Sequence, residues 1–117
     1  MAFPGTYNFN YYRGDTAEFV VRPKTANGSA YNLTNYTATF TIANRRGSTG
    51  TQYVADATIN TLTNIVTCTI APSVGRTLTA GTYVYDIQIT NTIPTPDVIL
   101  TLLTGSITVT DDITGAV

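Results

Sequence analysis

Few side chains in this sequence could carry chemistry. The chain contains no histidine, so it has no imidazole base, no Ser-His or Cys-His couple and no histidine metal ligand. Its single cysteine, Cys68, can form neither an internal disulfide nor a thiolate cluster. No pair of groups is spaced for acid–base or nucleophilic work. The sequence therefore predicts no enzyme, no catalytic residue and no cofactor.

A few charged residues remain as candidates for binding or crosslinking. Asp97, Asp111 and Asp112 could offer oxygen ligands to Ca²⁺, but their spacing does not resemble a dedicated calcium loop, and we predict no metal site. Lys24 is the only lysine, and Glu18 lies near it in sequence. A Lys-to-Asn crosslink beside a buried acid is one interpretation of this pair, and exposed solubilising charge is the favoured one.

Composition excludes several further classes. The chain has 117 residues, a formal net charge of -1, 11% charged residues and 43% hydrophobic residues. This balance is typical of one folded domain and offers no electrostatic surface for nucleic acid. No apolar run is long enough to span a bilayer, and the first residues lack the pattern of a secretory signal, so we expect synthesis in the cytoplasm. Threonine is unusually common, with 25 copies.

Apolar and polar residues alternate with a period of two along most of the chain, which predicts β-strands. Ala38, Phe40 and Ile42, for example, alternate with threonines, which suit the solvent side of a strand. The last two predicted strands could be one strand bent at Gly105. The predicted strands are residues 7–12, 16–22, 37–43, 51–59, 64–70, 82–90, 97–103 and 105–110.

These short strands and the turns between them predict an all-β fold, an immunoglobulin-like antiparallel β-sandwich of seven or eight strands. Only residues 72–80 could form a helical turn. Tyr83 follows a tight connection, and we expect a tyrosine corner in which its hydroxyl bonds back to that turn. The alternative is that Tyr83 and Tyr85 are simply large core residues. We expect one domain over residues 1–117, and we interpret Arg13-Gly14-Asp15 as a turn rather than an integrin-binding tripeptide.

Four short segments carry a family resemblance. Arg13-Gly14-Asp15-Thr16, residues 31–38, residues 78–85 and residues 104–109 together resemble small immunoglobulin-like virion proteins of tailed bacteriophages, including cyanophages. The N-terminal module of the phage baseplate upper protein is similar. The resemblance covers about residues 7–112 and implies a virion component. It brings no catalytic residues.

The N-terminal arm, residues 1–12, is unusually aromatic. Aromatic side chains occur on both sides of its alternation, and Tyr and Phe are favoured interface anchors. We predict that the arm packs on, or adds a strand to, a neighbouring virion protein. The alternative is that it covers the open edge of its own sandwich. The candidate partner-binding residues in the arm are Phe3, Tyr7, Phe9, Tyr11 and Tyr12.

Arg45 and Arg46 are the other candidate partner-binding residues. They lie on a glycine-rich loop and could reach an acidic patch on a partner. Surface arginines without a specific role are the alternative.

The function expected from these features is that of a non-enzymatic phage structural protein located in the virion. A capsid decoration or cement protein bound to the major capsid protein is favoured, because a compact domain suits many copies added to an assembled lattice. The alternatives are a tail, baseplate or fibre-attachment subunit and, from another class, a host-surface or carbohydrate-binding adhesin. We expect an oligomeric or lattice-bound state, and neither nucleic acid nor membrane as a partner.

Overall fold

The computed structural model describes residues 5–47, 51–111 and 113, and these residues form strands joined by turns, with one short helix. The prediction of an all-β fold with seven or eight strands is confirmed. None of the helices among these residues is long and apolar enough to cross a membrane. The elements are β1 (Gly5–Thr6), β2 (Phe9–Tyr12), β3 (Ala17–Val21), β4 (Thr37–Ala43), β5 (Gln52–Asn60), β6 (Ile65–Ile70), α1 (Pro72–Gly75), β7 (Gly81–Asn91) and β8 (Val98–Thr110).

The strand bounds follow the alternation of the sequence closely. From β3 to β7, each predicted strand lies within one residue of the observed strand at both ends. The first predicted strand is divided into β1 and β2. The last two are one strand, β8, which was one of the two arrangements left open.

The strands form one continuous sheet in the order β1-β8-β7-β4-β5-β6-β3, and β2 also pairs with β8. The sheet curls at β5, whose first half, residues 52–55, pairs with β4 and whose second half, residues 56–60, pairs with β6. Pairing is antiparallel except at β1 and β2, which run parallel to β8. The sheet is therefore mixed rather than wholly antiparallel, and the two-sheet immunoglobulin-like arrangement stays a prediction.

Aromatic side chains fill the space that the curled sheet encloses. The ring of Phe19, on β3, lies 5.4 Å from that of Phe9 on β2 and 5.6 Å from that of Phe40 on β4. It also contacts the ring of Tyr85 on β7, at 6.2 Å. Strands at opposite ends of the strand order thus meet through rings, in the offset and edge-to-face geometries that aromatic pairs prefer.

A β-bulge bends β8, and it lies at Leu102 rather than at Gly105. Ile87 of β7 pairs with Leu103, but the next residue, Gln88, pairs with Thr101, so Leu102 is the extra residue. Because side chains alternate along a strand, an extra residue exchanges the faces on which later residues lie. Leu102 is buried, and Leu103 also packs against the core, so the Leu-Leu doublet marks the place where the inward-facing positions change from even to odd numbers.

Gly105 has a different role, because the N-terminal arm crosses it. A Cβ atom on Gly105 would overlap the carbonyl oxygen of Tyr7, which leads from β1 into β2. The Tyr85 hydroxyl donates to the same oxygen at 2.6 Å, and the Asn8 side-chain oxygen accepts a hydrogen bond of 2.9 Å from the Ser106 amide. Glycine is therefore required at position 105 for the arm to approach β8.

The tyrosine corner forms as expected. The Tyr83 hydroxyl accepts a hydrogen bond of 3.0 Å from the backbone N–H of Thr79, four residues earlier in the turn that leads into β7. Tyr83 itself is buried, so the hydrogen bond satisfies a polar group in the core.

The Arg13-Gly14-Asp15 segment is a turn, as interpreted from the sequence. Gly14 has a positive φ of 88°, and the Asp15 amide donates to the Tyr12 carbonyl at 3.0 Å. Arg13 is half-buried, and its guanidinium donates to the carbonyl oxygens of Leu78 and Arg76 at 2.7 and 2.8 Å. The arginine therefore ties the β2–β3 turn to the connection before β7.

Replacing Gly105 with alanine tests the crossing of the arm. We expect Gly105→Ala to lower the free energy of unfolding by about 2 kcal/mol, measured in denaturant, and to open residues 5–12 to proteolysis, because the added methyl group overlaps backbone.

Gly5→Ala is the matched control on the same arm. Its Cβ would lie 3.5 Å from Leu103 Cδ1, an ordinary contact, so we expect a change within about 0.5 kcal/mol. Equal effects of the two substitutions would contradict the assigned role of Gly105.

Candidate functional site

The described part of the aromatic arm packs on its own chain. Strands β1 and β2 extend the sheet beside β8, which is the second of the two alternatives that the sequence left open. Phe9 is half-buried against the core, whereas Tyr7 and Tyr12 are exposed, Tyr12 to 57%. Phe3 lies outside the described residues. Two of the candidate anchors, Tyr7 and Tyr12, thus have ring surface open to a partner.

Tyr11 has a structural role in this arrangement. Its side chain is only 2% exposed, and its hydroxyl donates to the Asp15 carbonyl oxygen at 2.6 Å. A partner could reach this ring only if the arm left β8. In β2, Phe9 and Tyr11 face inward and Tyr12 faces outward, so the docking of the arm on β8 buries Tyr11.

Arg45 and Arg46 lie beside a polar pocket on the outer face of the sheet. The pocket has a volume of about 250 Å³, and the loop after β4 borders it. The Arg46 guanidinium is 3.5 Å from the Gly105 carbonyl oxygen. The floor is formed by outward-facing residues of β4 and β7, including Thr41, Asp86 and Gln88.

Asp86 is the half-buried acid of this pocket. Burial raises the pKa of its carboxyl group, and the charge of Arg46 partly offsets that rise. Arg46 thus lies close enough to Asp86 to interact with an acid of its own chain, while Arg45 is exposed on the same loop. The arrangement places a charged loop residue beside a half-buried acid and lines the pocket with polar groups.

Three exposed aliphatic side chains lie elsewhere, at one end of the sheet. Leu62, between β5 and β6, is 93% exposed, and Ile93, between β7 and β8, is 70% exposed. Thr37 of β4 pairs with Thr90, near the end of β7, and β5 runs antiparallel to β4, so both connections leave the sheet at the same end. Ile99 of β8 is exposed near the same end. We call Leu62, Ile93 and Ile99 the hairpin end.

The two loop residues of the hairpin end are presented by the same local structure. The Asn60 side-chain oxygen accepts from the Leu62 amide at 2.9 Å, and the Asn91 side-chain oxygen accepts from the Ile93 amide at 3.1 Å. Each loop therefore begins with an Asx turn that directs an aliphatic residue into solvent. Sequence reasoning missed both residues, although the repeated Asn-Thr-Leu and Asn-Thr-Ile triplets signal them.

Metal-binding groups are absent from the part of the chain that the structure describes, where no three Cys, Asp or Glu residues come together. Asp97 and Asp111 are exposed, and Asp112 lies outside the described residues. Cys68 is fully buried on β6, and burial raises the pKa of its thiol to about 12, which leaves it unreactive at neutral pH.

Comparison with known proteins does not assign the chain to a family. No protein-family model matches the chain, and no curated protein matches it. Among solved structures, the chain is similar to a family 123 glycoside hydrolase from Clostridium perfringens that was analysed for glycolipid glycan hydrolysis, with a TM-score of 0.38 and 16% identity. The match covers 92% of this chain but only 23% of that one. A likeness this weak carries no argument about function.

The stability of the protein should depend on the protonation of Asp86. The folded chain holds this proton more tightly than the unfolded chain does, because its pKa is raised from the ordinary 3.8. The resulting stabilisation is complete below that value and is lost as the pH rises through the raised pKa. Asp86→Asn removes the charge. The unfolding free energy of the variant, relative to that of the wild type, should therefore rise by about 0.5 kcal/mol between about pH 3 and pH 7.

Asp97→Asn, in an exposed loop, is the control and should show no such trend. Denaturant unfolding at a series of pH values measures both differences. An Asp86→Asn difference that stays constant or falls with pH would show that burial does not penalise this carboxylate.

Proposed function

We propose that this protein is a non-enzymatic structural protein of a tailed-phage virion, and that it decorates the assembled capsid. The link to phages rests on the resemblance of four sequence segments to small virion proteins. The observation that carries a binding role is the hairpin end, where aliphatic side chains stand exposed on a chain with few charges.

The hairpin end has the properties of a binding surface. Removing exposed aliphatic groups from water when a partner binds is favourable, so their exposure at one end of the sheet supports a contact there. The Asx turns at Asn60 and Asn91 fix the backbone that carries Leu62 and Ile93. A pre-ordered loop loses less conformational entropy on binding. The hairpin end is therefore the surface that we assign to the capsid lattice.

Uncharged outward residues support the same role. Threonines occupy many of the outward positions of β4, β6 and β8, such as Thr39, Thr67 and Thr108, so few charges must be dehydrated when neighbours pack against the sheet. A protein that binds only the assembled lattice stabilises that lattice by mass action. These properties suit a cement protein present in many copies.

A carbohydrate-binding adhesin is less well supported. Tyr31 and Tyr36, in the connection before β4, would be natural stacking platforms for a sugar. Their rings instead pack edge to face at 6.0 Å, and their hydroxyl groups are hydrogen-bonded to each other at 3.0 Å. Both side chains are half-buried, so much of their ring surface is used within the chain.

The proposal predicts binding to phage heads through the hairpin end. The protein should co-purify with separated heads at roughly tens to hundreds of copies per particle, in step with the capsid symmetry. The double substitution Leu62→Asp and Ile93→Asp should weaken rebinding to stripped heads by at least about a hundredfold, because two apolar side chains lose their burial.

The matched control carries Thr61→Asp and Thr92→Asp, which add the same charges at neighbouring exposed positions and should retain most of the binding. Loss of binding on changing Tyr12, Arg45 and Arg46 instead would move the contact to the arm and the loop after β4. Recovery with tails at roughly 3 to 12 copies would make the protein a tail subunit. Binding to host envelopes without any phage partner would make it an adhesin.

A further inference from the structure

Strand β3 has an unpaired edge. It is last in the strand order, and within the described residues its backbone ladder joins only β6. Its outward-facing side chains are Glu18 and Val20, and Arg22 follows directly after the strand; all three are exposed, with Val20 at 40%. Unpaired N–H and C=O groups along such an edge are a template for another strand.

The order of side chains along this edge is complementary to itself. When two copies of a strand pair antiparallel about a two-fold axis at Val20, each Val20 lies opposite the other Val20. The same register places Glu18 of each copy opposite Arg22 of its neighbour, because both residues lie two positions from the axis. Opposite charges directly across a strand pair are favourable, and like charges are unfavourable.

We propose that β3 pairs antiparallel with β3 of a second copy of this chain, about a two-fold axis at Val20. The interface is isologous, so the same edge serves both copies. The proposal is independent of the proposed function, because it concerns the isolated protein in solution.

Charge favours a second copy over an unrelated strand. Proteins commonly protect exposed edges with charged residues, and an edge with charges of one sign repels its own copies. This edge carries one acid and one base, placed so that two copies attract each other at both ends of the pairing. Within the chain, Glu18 and Val20 lie opposite Thr69 and Thr67 of β6, so Glu18 has no charged residue directly across this ladder.

An apolar groove beside the edge supports the same interface. It has a volume of about 390 Å³ and lies where β3 approaches the N-terminal arm, lined by Tyr7, Val21 and Leu103 among others. Tyr7 and Val20 are both exposed there. A strand added to β3 would extend the sheet beside this groove and remove part of its apolar lining from water.

Exchanging the charges at Glu18 and Arg22 tests the register of the proposed strand pair. Sedimentation equilibrium of the purified protein at low ionic strength should show a monomer–dimer equilibrium below about 1 mM. Glu18→Arg and Arg22→Glu should each weaken the dimer by about tenfold, since each creates two like-charge pairs. The double variant, with both exchanges, should restore the wild-type affinity.

Asp97→Arg, which changes an exposed loop charge, is the control and should leave the affinity unchanged. Thermal unfolding of each variant establishes that the fold is retained. A wild type that stays monomeric at about 1 mM overturns the proposal. So does a dimer that the single exchanges do not weaken or that the double exchange does not restore.

Crosslinking provides a second, independent readout. Val20→Cys should form a disulfide-linked dimer under mild oxidation, because the two introduced thiols face each other across the axis. Val54→Cys is the matched control, since Val54 is an exposed valine on β5, away from the edge. The native Cys68 is buried and does not compete. Equal crosslinking of the two variants would contradict the pairing.

Discussion

The packing of Tyr85 holds together the two ends of the curled sheet, and the rest of the structure depends on it. Its ring contacts Phe9 from the arm, Phe19 from β3 and Phe40 from β4. Its hydroxyl donates to the Tyr7 carbonyl oxygen at 2.6 Å. One side chain on a central strand thus joins the first strands of the chain to the last strand in the sheet order. Burial raises its pKa, which keeps the hydroxyl protonated as a donor at neutral pH.

This constraint determines which surfaces are left for other molecules. The described part of the arm covers β8 and packs Phe9 and Tyr11 against the core, whereas Tyr7 and Tyr12 stay exposed. Among the described residues, the outer backbone edge of β3 has no ladder partner, since rings rather than a hydrogen-bonded ladder join it to the arm. The hairpin end lies beyond the enclosed core, and its aliphatic residues have no role in closing it. The two proposals therefore concern separate surfaces, which can be altered independently.

The sequence predicts the strands well because alternation reports directly on burial, as in residues 37–43 and 82–90. Alternation does not report which strand is the neighbour or in which direction it runs, so the parallel pairing of β2 with β8 was not predictable. The same limit applies to Tyr11, whose burial depends on where the arm docks. Local signals do exist for other features: the Leu102–Leu103 doublet marks the bulge, and the Asn-Thr-Leu and Asn-Thr-Ile triplets mark the exposed loop residues.

Native-state hydrogen exchange of Tyr85→Phe tests most directly whether Tyr85 holds the arm in place. Removing the hydroxyl leaves the Tyr7 carbonyl oxygen without this donor and weakens the docking of the arm. We expect exchange about tenfold faster for the amides of β2, with the amides of β4 and β5 little changed. Equal acceleration throughout the sheet, or no acceleration in β2, would contradict this role of Tyr85.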